Sequence, residues 1–159
     1  EHIGEVNFEQ AEIPFAAVAA DIAGGEKVIM KEGPVAEAVM ASACIPGIFI
    51  PVEIGGRLLV DGGIVENVPV SPLREMGADY VIGVNLKAGR AHKRPKNIVE
   101  ILLMSFDFTL RTVSKLQTEE ADLLIQPDLS SFNMVDIDQG PDLIEAGYEE
   151  AKTALREAT

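Results

Sequence analysis

Cysteine, histidine and basic side chains are scarce in this chain, and each scarcity closes off a class of function. Thirteen Lys and Arg stand against 26 Asp and Glu in 159 residues, a net charge of −13. Nucleic acid is a poor partner for such a chain, because phosphate backbones demand clustered cations. Broad adhesion to anionic membranes is disfavoured for the same reason. The one cysteine, Cys44, cannot close an internal disulfide, and its Ala-Cys-Ile setting is that of a small buried residue rather than a reactive thiol. Of the two histidines, His2 lies at the terminus and His92 in a charged loop, so neither is placed to act as a base. No His/Cys cluster offers zinc ligands, and Asp136 and Asp138 do not match the spacing of a calcium loop. No metal is therefore expected. No apolar run reaches the roughly 20 residues that cross a bilayer. A cytoplasmic location, with peripheral membrane contact left open, is the expectation.

What remains is one domain's worth of chain, long enough to bury a core. Residues 1–13 are polar and read as a frayed terminus. Residues 15–22 are almost continuously apolar, which suggests a strand covered on both faces as in a parallel sheet. Gly24-Gly25 turns the chain into a short strand, residues 26–30. Pro34 opens a helix from Val35 to about Ala43, with Val35, Val39 and Ala43 on one face, and Pro46-Gly47 cannot continue it. Residues 70–76 read as a short helix closed by Gly77. Residues 80–86 read as another central strand.

A basic loop, residues 87–96, gathers Lys87, Arg90, Lys93, Arg94 and Lys96 around His92. It reads as solvated, with contact to lipid headgroups or phosphate as the alternative. Asn97 is a good N-cap for a long helix to about Ala121, whose stripe of Ile98, Ile101, Leu102, Phe106, Leu110, Val113 and Leu116 should face a core. A short strand at 123–126 and a final helix at 142–158 follow, the latter with Leu143, Ala146, Ala151 and Leu155 inward. Strands alternating with helices give an α/β fold, read as a three-layer α/β/α sandwich.

The informative stretch is residues 50–70. Two apolar runs flank a Gly55-Gly56 hairpin, and the second ends in Asp61-Gly62-Gly63. A carboxylate fixed at a strand's end, followed by two residues without side chains, suits chemistry, because another segment can approach closely there. Asp-Gly pairs also simply turn chains, and that reading stays open on the tripeptide alone. Asp21, near Gly24-Gly25, reads as a turn-former. Ser42 lies inside a helix and Ser71 at a helix start, where serine caps. Neither sits in the strained strand-to-helix turn that exposes a nucleophile.

The run Ala41-Ser42-Ala43-Cys44-Ile45-Pro46-Gly47-Ile48-Phe49-Ile50-Pro51-Val52 comes first, then Leu59-Val60-Asp61-Gly62-Gly63, Asn67-Val68-Pro69-Val70 and Gly77-Ala78-Asp79-Tyr80-Val81-Ile82-Gly83-Val84. With residues 15–25 upstream, this series resembles the patatin-like phospholipase family. The resemblance covers about half of the chain, from Phe15 to about Leu86. It implies a serine lipid acyl hydrolase working with a Ser-Asp dyad, in which Asp61 is the base. A carboxylate can take a hydroxyl proton directly when it is within hydrogen-bond reach and partly desolvated. Ester hydrolysis by a serine and a carboxylate needs no cofactor. Gly62 and Gly63 would leave room for the nucleophile elbow, and Asn67 would hold the loop after the motif. The family's Gly-x-Ser-x-Gly elbow and Gly-rich oxyanion loop are not in this sequence.

The chain is accordingly expected to be the C-terminal portion of such a domain, residues 1–159, incomplete on its N-terminal side and inactive alone. Expected partners are a lipid or acyl-ester substrate, the missing N-terminal half, a membrane surface at the periphery, and a second copy of the chain. The alternative is a non-catalytic binding or scaffolding module that kept the half-fold and lost the reaction.

Overall fold

A computed structural model describes residues 6–86, 94–132 and 136–158, and shows a mixed α/β fold. The basic loop's Lys87, Arg90, His92 and Lys93, and the terminal His2, fall outside the described residues. The chain divides into two compact units, Glu1–Pro72 and Leu73–Thr159.

The first unit is built on a four-stranded sheet of β1 (Ala17–Asp21), β2 (Glu26–Met30), β3 (Val52–Ile54) and β4 (Arg57–Asp61), in the order β2-β1-β4-β3. Every pairing in it is antiparallel, which corrects the parallel sheet expected from residues 15–22. All five residues of β1 are buried, so both faces are covered as expected. Continuous burial reports covered faces and carries no information on strand direction. Ala17, Ala19 and Leu59 point to one face, where they pack with Phe8, Met30 and the Ala38 and Ala41 of α1 (Val35–Ser42). The buried side of this helix is thus its alanine side, while Val35 and Val39 are half-buried. Val18, Ala20 and Val60 are buried on the opposite face.

The Ile54↔Arg57 register leaves Gly55 and Gly56 as a two-residue loop, with φ of +60° and +77°. Two successive positive φ angles define the hairpin turn whose twist matches the strands, and glycine adopts them freely. Asp21 forms a turn as expected: its Oδ1 accepts from the N–H groups of Ala23 and Gly24 at 3.0 and 3.1 Å. The N-terminal segment departs from expectation. Phe8 is 5% exposed and belongs to the core, stacked on Phe15 with ring centroids 5.4 Å apart. Its N–H donates to the Gly33 carbonyl, and the Val35 N–H to Val6. One aromatic anchor outweighs the polarity of its neighbours.

α2 (Val70–Glu75) is closed by Gly77, whose φ is +95° and whose N–H donates to the Arg74 carbonyl. In the second unit, β5 (Ile82–Val84) pairs in parallel with β6 (Leu123–Ile125), and α3 (Ile98–Thr118) is the crossover between them. Asp122 joins these elements. Its Oδ2 accepts from the Val81 N–H at 2.7 Å and from the Arg74 guanidinium, and these donors hold its carboxyl below the usual carboxylate range. β5 was expected to be central, but its only neighbour among the described residues is β6, and Ile82 and Val84 are exposed while Gly83 is buried.

Asn97 caps α3 as expected, its side chain accepting from the Glu100 N–H at 2.9 Å. The helix's expected core stripe is corrected. Leu110 is buried and Phe106 and Val113 are half-buried, but Ile98, Ile101 and Leu102 are exposed. Burial follows Leu110, Ser114 and Thr118, a row four residues apart at the C-terminal end. In α4 (Gly140–Glu157) Leu143, Ala146 and Ala151 are half-buried and Leu155 is exposed, so its inward face is shorter than the sequence suggests.

Candidate active site

β4 delivers Asp61 to the end of the sheet, opposite Ala19 of β1. The backbone N–H of Asp61 donates to the Cys44 carbonyl at 2.8 Å, which ties the strand end to the residue after α1. Because partners in an antiparallel pair share a face, the Asp61 side chain lies on the α1 side of the sheet. Its Oδ1 accepts from the Gly63 N–H at 2.7 Å, capping a 3-10 turn over Gly62–Ile64. Among the described residues no donor reaches Oδ2. The carboxylate is half-buried.

Beside it lies a cavity of about 360 Å³. Its walls are largely apolar, with Phe15, Val18, Val39 and Ala43 facing the carboxylate of Asp61 and the backbone of Gly62 and Gly63. Ser42, the last residue of α1, also lines this cavity. Ser71 is not among its lining residues.

The two glycines have different reasons to be there. A Cβ on Gly62 would collide with the Val18 carbonyl, so the space beside Gly62 is already filled by β1. A Cβ on Gly63 would come within 3.0 Å of Asp61 Oδ1 and 3.3 Å of Asn67 Oδ1. Gly63 therefore sits between the Asp61 carboxylate and the Asn67 side chain, and a larger residue would push one of them away. Asn67 lines the cavity as well.

Glu66 is the feature the sequence did not reveal. It reads as an ordinary loop glutamate, yet its side chain is 7% exposed and lines the cavity. Its Oε1 accepts from the Ser71 N–H at 2.9 Å, and its Oε2 from the Ser71 hydroxyl and the Lys27 ammonium, both at 2.8 Å. Glu66 thus caps α2, a role expected of Ser71, which is instead the helix's second residue. Burial pushes the Glu66 carboxyl up, but Lys27 and the two Ser71 donors outweigh it and hold the group below the usual range. Ionised and fully bonded, it anchors the loop that follows Asp61 to β2. The signal available in the sequence was only the proximity of Val65-Glu66-Asn67 to the motif.

Cys44 is buried, with its Sγ donating to the Ile50 carbonyl at 3.2 Å. No cluster of three or more metal-ligating side chains occurs among the described residues, and no described helix is long and apolar enough to cross a membrane.

Comparison with known proteins bears on this geometry. Residues 1–74 match the family model of the patatin-like phospholipases. Over 89 residues the chain is 43% identical to an uncharacterized NTE family protein of Mycobacterium tuberculosis, covering 56% of this chain and 25% of that protein. A second NTE family protein of the same organism is 29% identical over 168 residues, covering 89% of this chain and 29% of that protein. A lysophospholipase of Cryptococcus neoformans, NTE1, is 36% identical over 74 residues, 46% of this chain and 5% of that protein. The chain spans about a quarter of the length of the mycobacterial relatives it matches. The resemblance read from the motifs therefore holds at the level of the match: residues 1–74 fit the patatin-like phospholipase family model, and the mycobacterial relatives carry NTE family names.

Proposed function

We propose that this chain supplies the general-base half of a serine lipid acyl hydrolase, with Asp61 as the proton acceptor. The observation that carries the reading is a half-buried carboxylate held through one oxygen by the Gly63 N–H, beside an apolar-walled cavity. A carboxylate fixed through Oδ1 presents Oδ2 as an acceptor of constant position, which a general base requires. The family match, and the lysophospholipase name of one relative, support an acyl ester of a lipid as substrate.

In this reading a serine hydroxyl, brought by a Gly-x-Ser-x-Gly elbow outside these 159 residues, enters the cavity next to Asp61. As the serine oxygen bonds to the ester carbonyl carbon, its proton passes to Asp61 and then to the departing alcohol. Water repeats the cycle on the acyl-enzyme: it gives its proton to Asp61, and the serine recovers one on release of the fatty acid. Backbone N–H donors of an oxyanion loop, also outside this chain, stabilise the negative charge of each tetrahedral intermediate. No cofactor takes part. The same outside segment would complete the three-layer α/β/α sandwich around the sheet.

The test is ester hydrolysis by the chain alone and joined to an upstream segment carrying the elbow. The isolated chain should neither turn over a short-chain nitrophenyl ester nor label with a fluorophosphonate, and the joined protein should do both. Labelling of the isolated chain would place the nucleophile within it, at Ser42, the serine that lines the cavity. Failure of the joined protein would leave a non-catalytic binding module.

A further inference from the structure

The N-terminal part of α3 presents a face that no other element among the described residues covers. Ile98, Leu102 and Phe108 are 66%, 63% and 65% exposed, and Ile101 lies between them at 45%. Their spacing of three, four and seven places them on one side of the helix. Ser105, Thr109 and Thr112 share that side. Each turns its hydroxyl back onto the carbonyl four residues earlier: Ser105 to Ile101 at 2.8 Å, Thr109 to Ser105 at 3.0 Å, and Thr112 to Phe108 at 3.1 Å. With the hydroxyl protons spent inside the helix, the face makes no demand for water that a medium poor in hydrogen-bonding partners could not meet. The charged residues of the same stretch lie elsewhere on the helix, Glu100 bonded to Asn97 and to the Lys96 N–H, and Asp107 paired with Arg111 at 2.7 Å. Beside the face is a groove of about 470 Å³ lined by Pro95, Ile101, Met104 and Phe108.

Charge says what fits there. Seven of the chain's thirteen Lys and Arg, but only two of its 26 Asp and Glu, fall within residues 87–118. This segment carries +5 in a chain whose remainder carries −18. Arg94 and Lys96, both exposed, stand immediately before the apolar face. An uncharged apolar helix face flanked by cations, in a molecule otherwise strongly acidic, is complementary to a bilayer surface with anionic headgroups: side chains enter the acyl boundary while lysine and arginine meet phosphate.

We propose that the exposed face of α3, with Arg94 and Lys96, docks this protein on anionic lipid membranes. The face belongs to the second unit and the proposal is independent of Asp61, so either reading can fail without the other. The experiment is co-sedimentation of the full chain with phosphatidylcholine vesicles, with and without phosphatidylserine. Binding should favour the phosphatidylserine vesicles and fall with added salt. Leu102→Glu or Phe108→Glu, at exposed positions that spare the core, should weaken partitioning at least about tenfold. Arg94→Glu with Lys96→Glu should remove the preference for phosphatidylserine, again by about tenfold or more, and Asp61→Asn should bind as the parent does. The proposal is overturned if the chain stays in the supernatant with both vesicles, or if the Leu102 and Phe108 variants bind unchanged. It is equally overturned if Leu102→Glu only dissociates a homo-oligomer that has no affinity for vesicles, since a second copy would then be what covers the face.

Discussion

Residues 1–72 and residues 73–159 are of similar length, but they spend their apolar side chains differently. Of the seventeen buried apolar residues among those described, thirteen lie in the first unit and four in the second. The first unit packs a sheet on both faces and surrounds Asp61 with its own side chains. The second leaves Ile98, Leu102, Phe108 and Ile144 in the open, and α4 buries none of its described residues. The family match, residues 1–74, coincides with the well-packed unit. The difference teaches that the candidate site is assembled within the unit that holds most of the buried apolar side chains.

One substitution made in both regions would sharpen this contrast. Gly62→Ala drives a methyl group into the Val18 carbonyl of the buried strand β1, and should cost about 3 kcal/mol or more in urea unfolding. A cost near zero would mean that β1 and the Asp61 turn are not packed as described. Glu66→Gln probes the anchor of the same loop, and should cost about 2 kcal/mol near neutral pH, the scale of a hydrogen bond to a buried charge. Because the folded state holds the Glu66 carboxyl low, its contribution is complete above the unfolded value, about pH 4.3, and is lost as pH falls through the folded value. The difference between parent and variant should therefore shrink below about pH 4; a gap that persisted there would assign the cost to packing. The smallest effect is expected in the second unit. Gly147 sits within α4 with no atom near the position of an added Cβ, so Gly147→Ala should stabilise by roughly 0.5–1 kcal/mol, measured as helicity retained on heating.

Much of the first unit could be read from local chemistry. Gly55-Gly56 demanded a hairpin, Pro34 a helix start, and Asp21 with two glycines a turn. Strand direction could not be read, because the apolar run at 15–22 registers burial and not partners. Phe8 escaped notice because a single aromatic gives no periodicity. The apolar stripe of α3 marks a face that avoids water, but its periodicity alone does not say what covers that face. At the site, Asp61 stood out through its glycines, whereas Glu66 did not: its weight comes from Lys27, 39 positions away, and no local pattern announces such a partner.

The central claim is that Asp61 takes the proton. Asp61→Asn keeps an oxygen to accept from the Gly63 N–H but removes the basic lone pair, so the fold and the cavity should survive. In the protein that joins this chain to its nucleophile elbow, ester turnover should fall by about three to four orders of magnitude at an unchanged melting temperature. Turnover within a few-fold of the parent would contradict the assignment and place the base elsewhere.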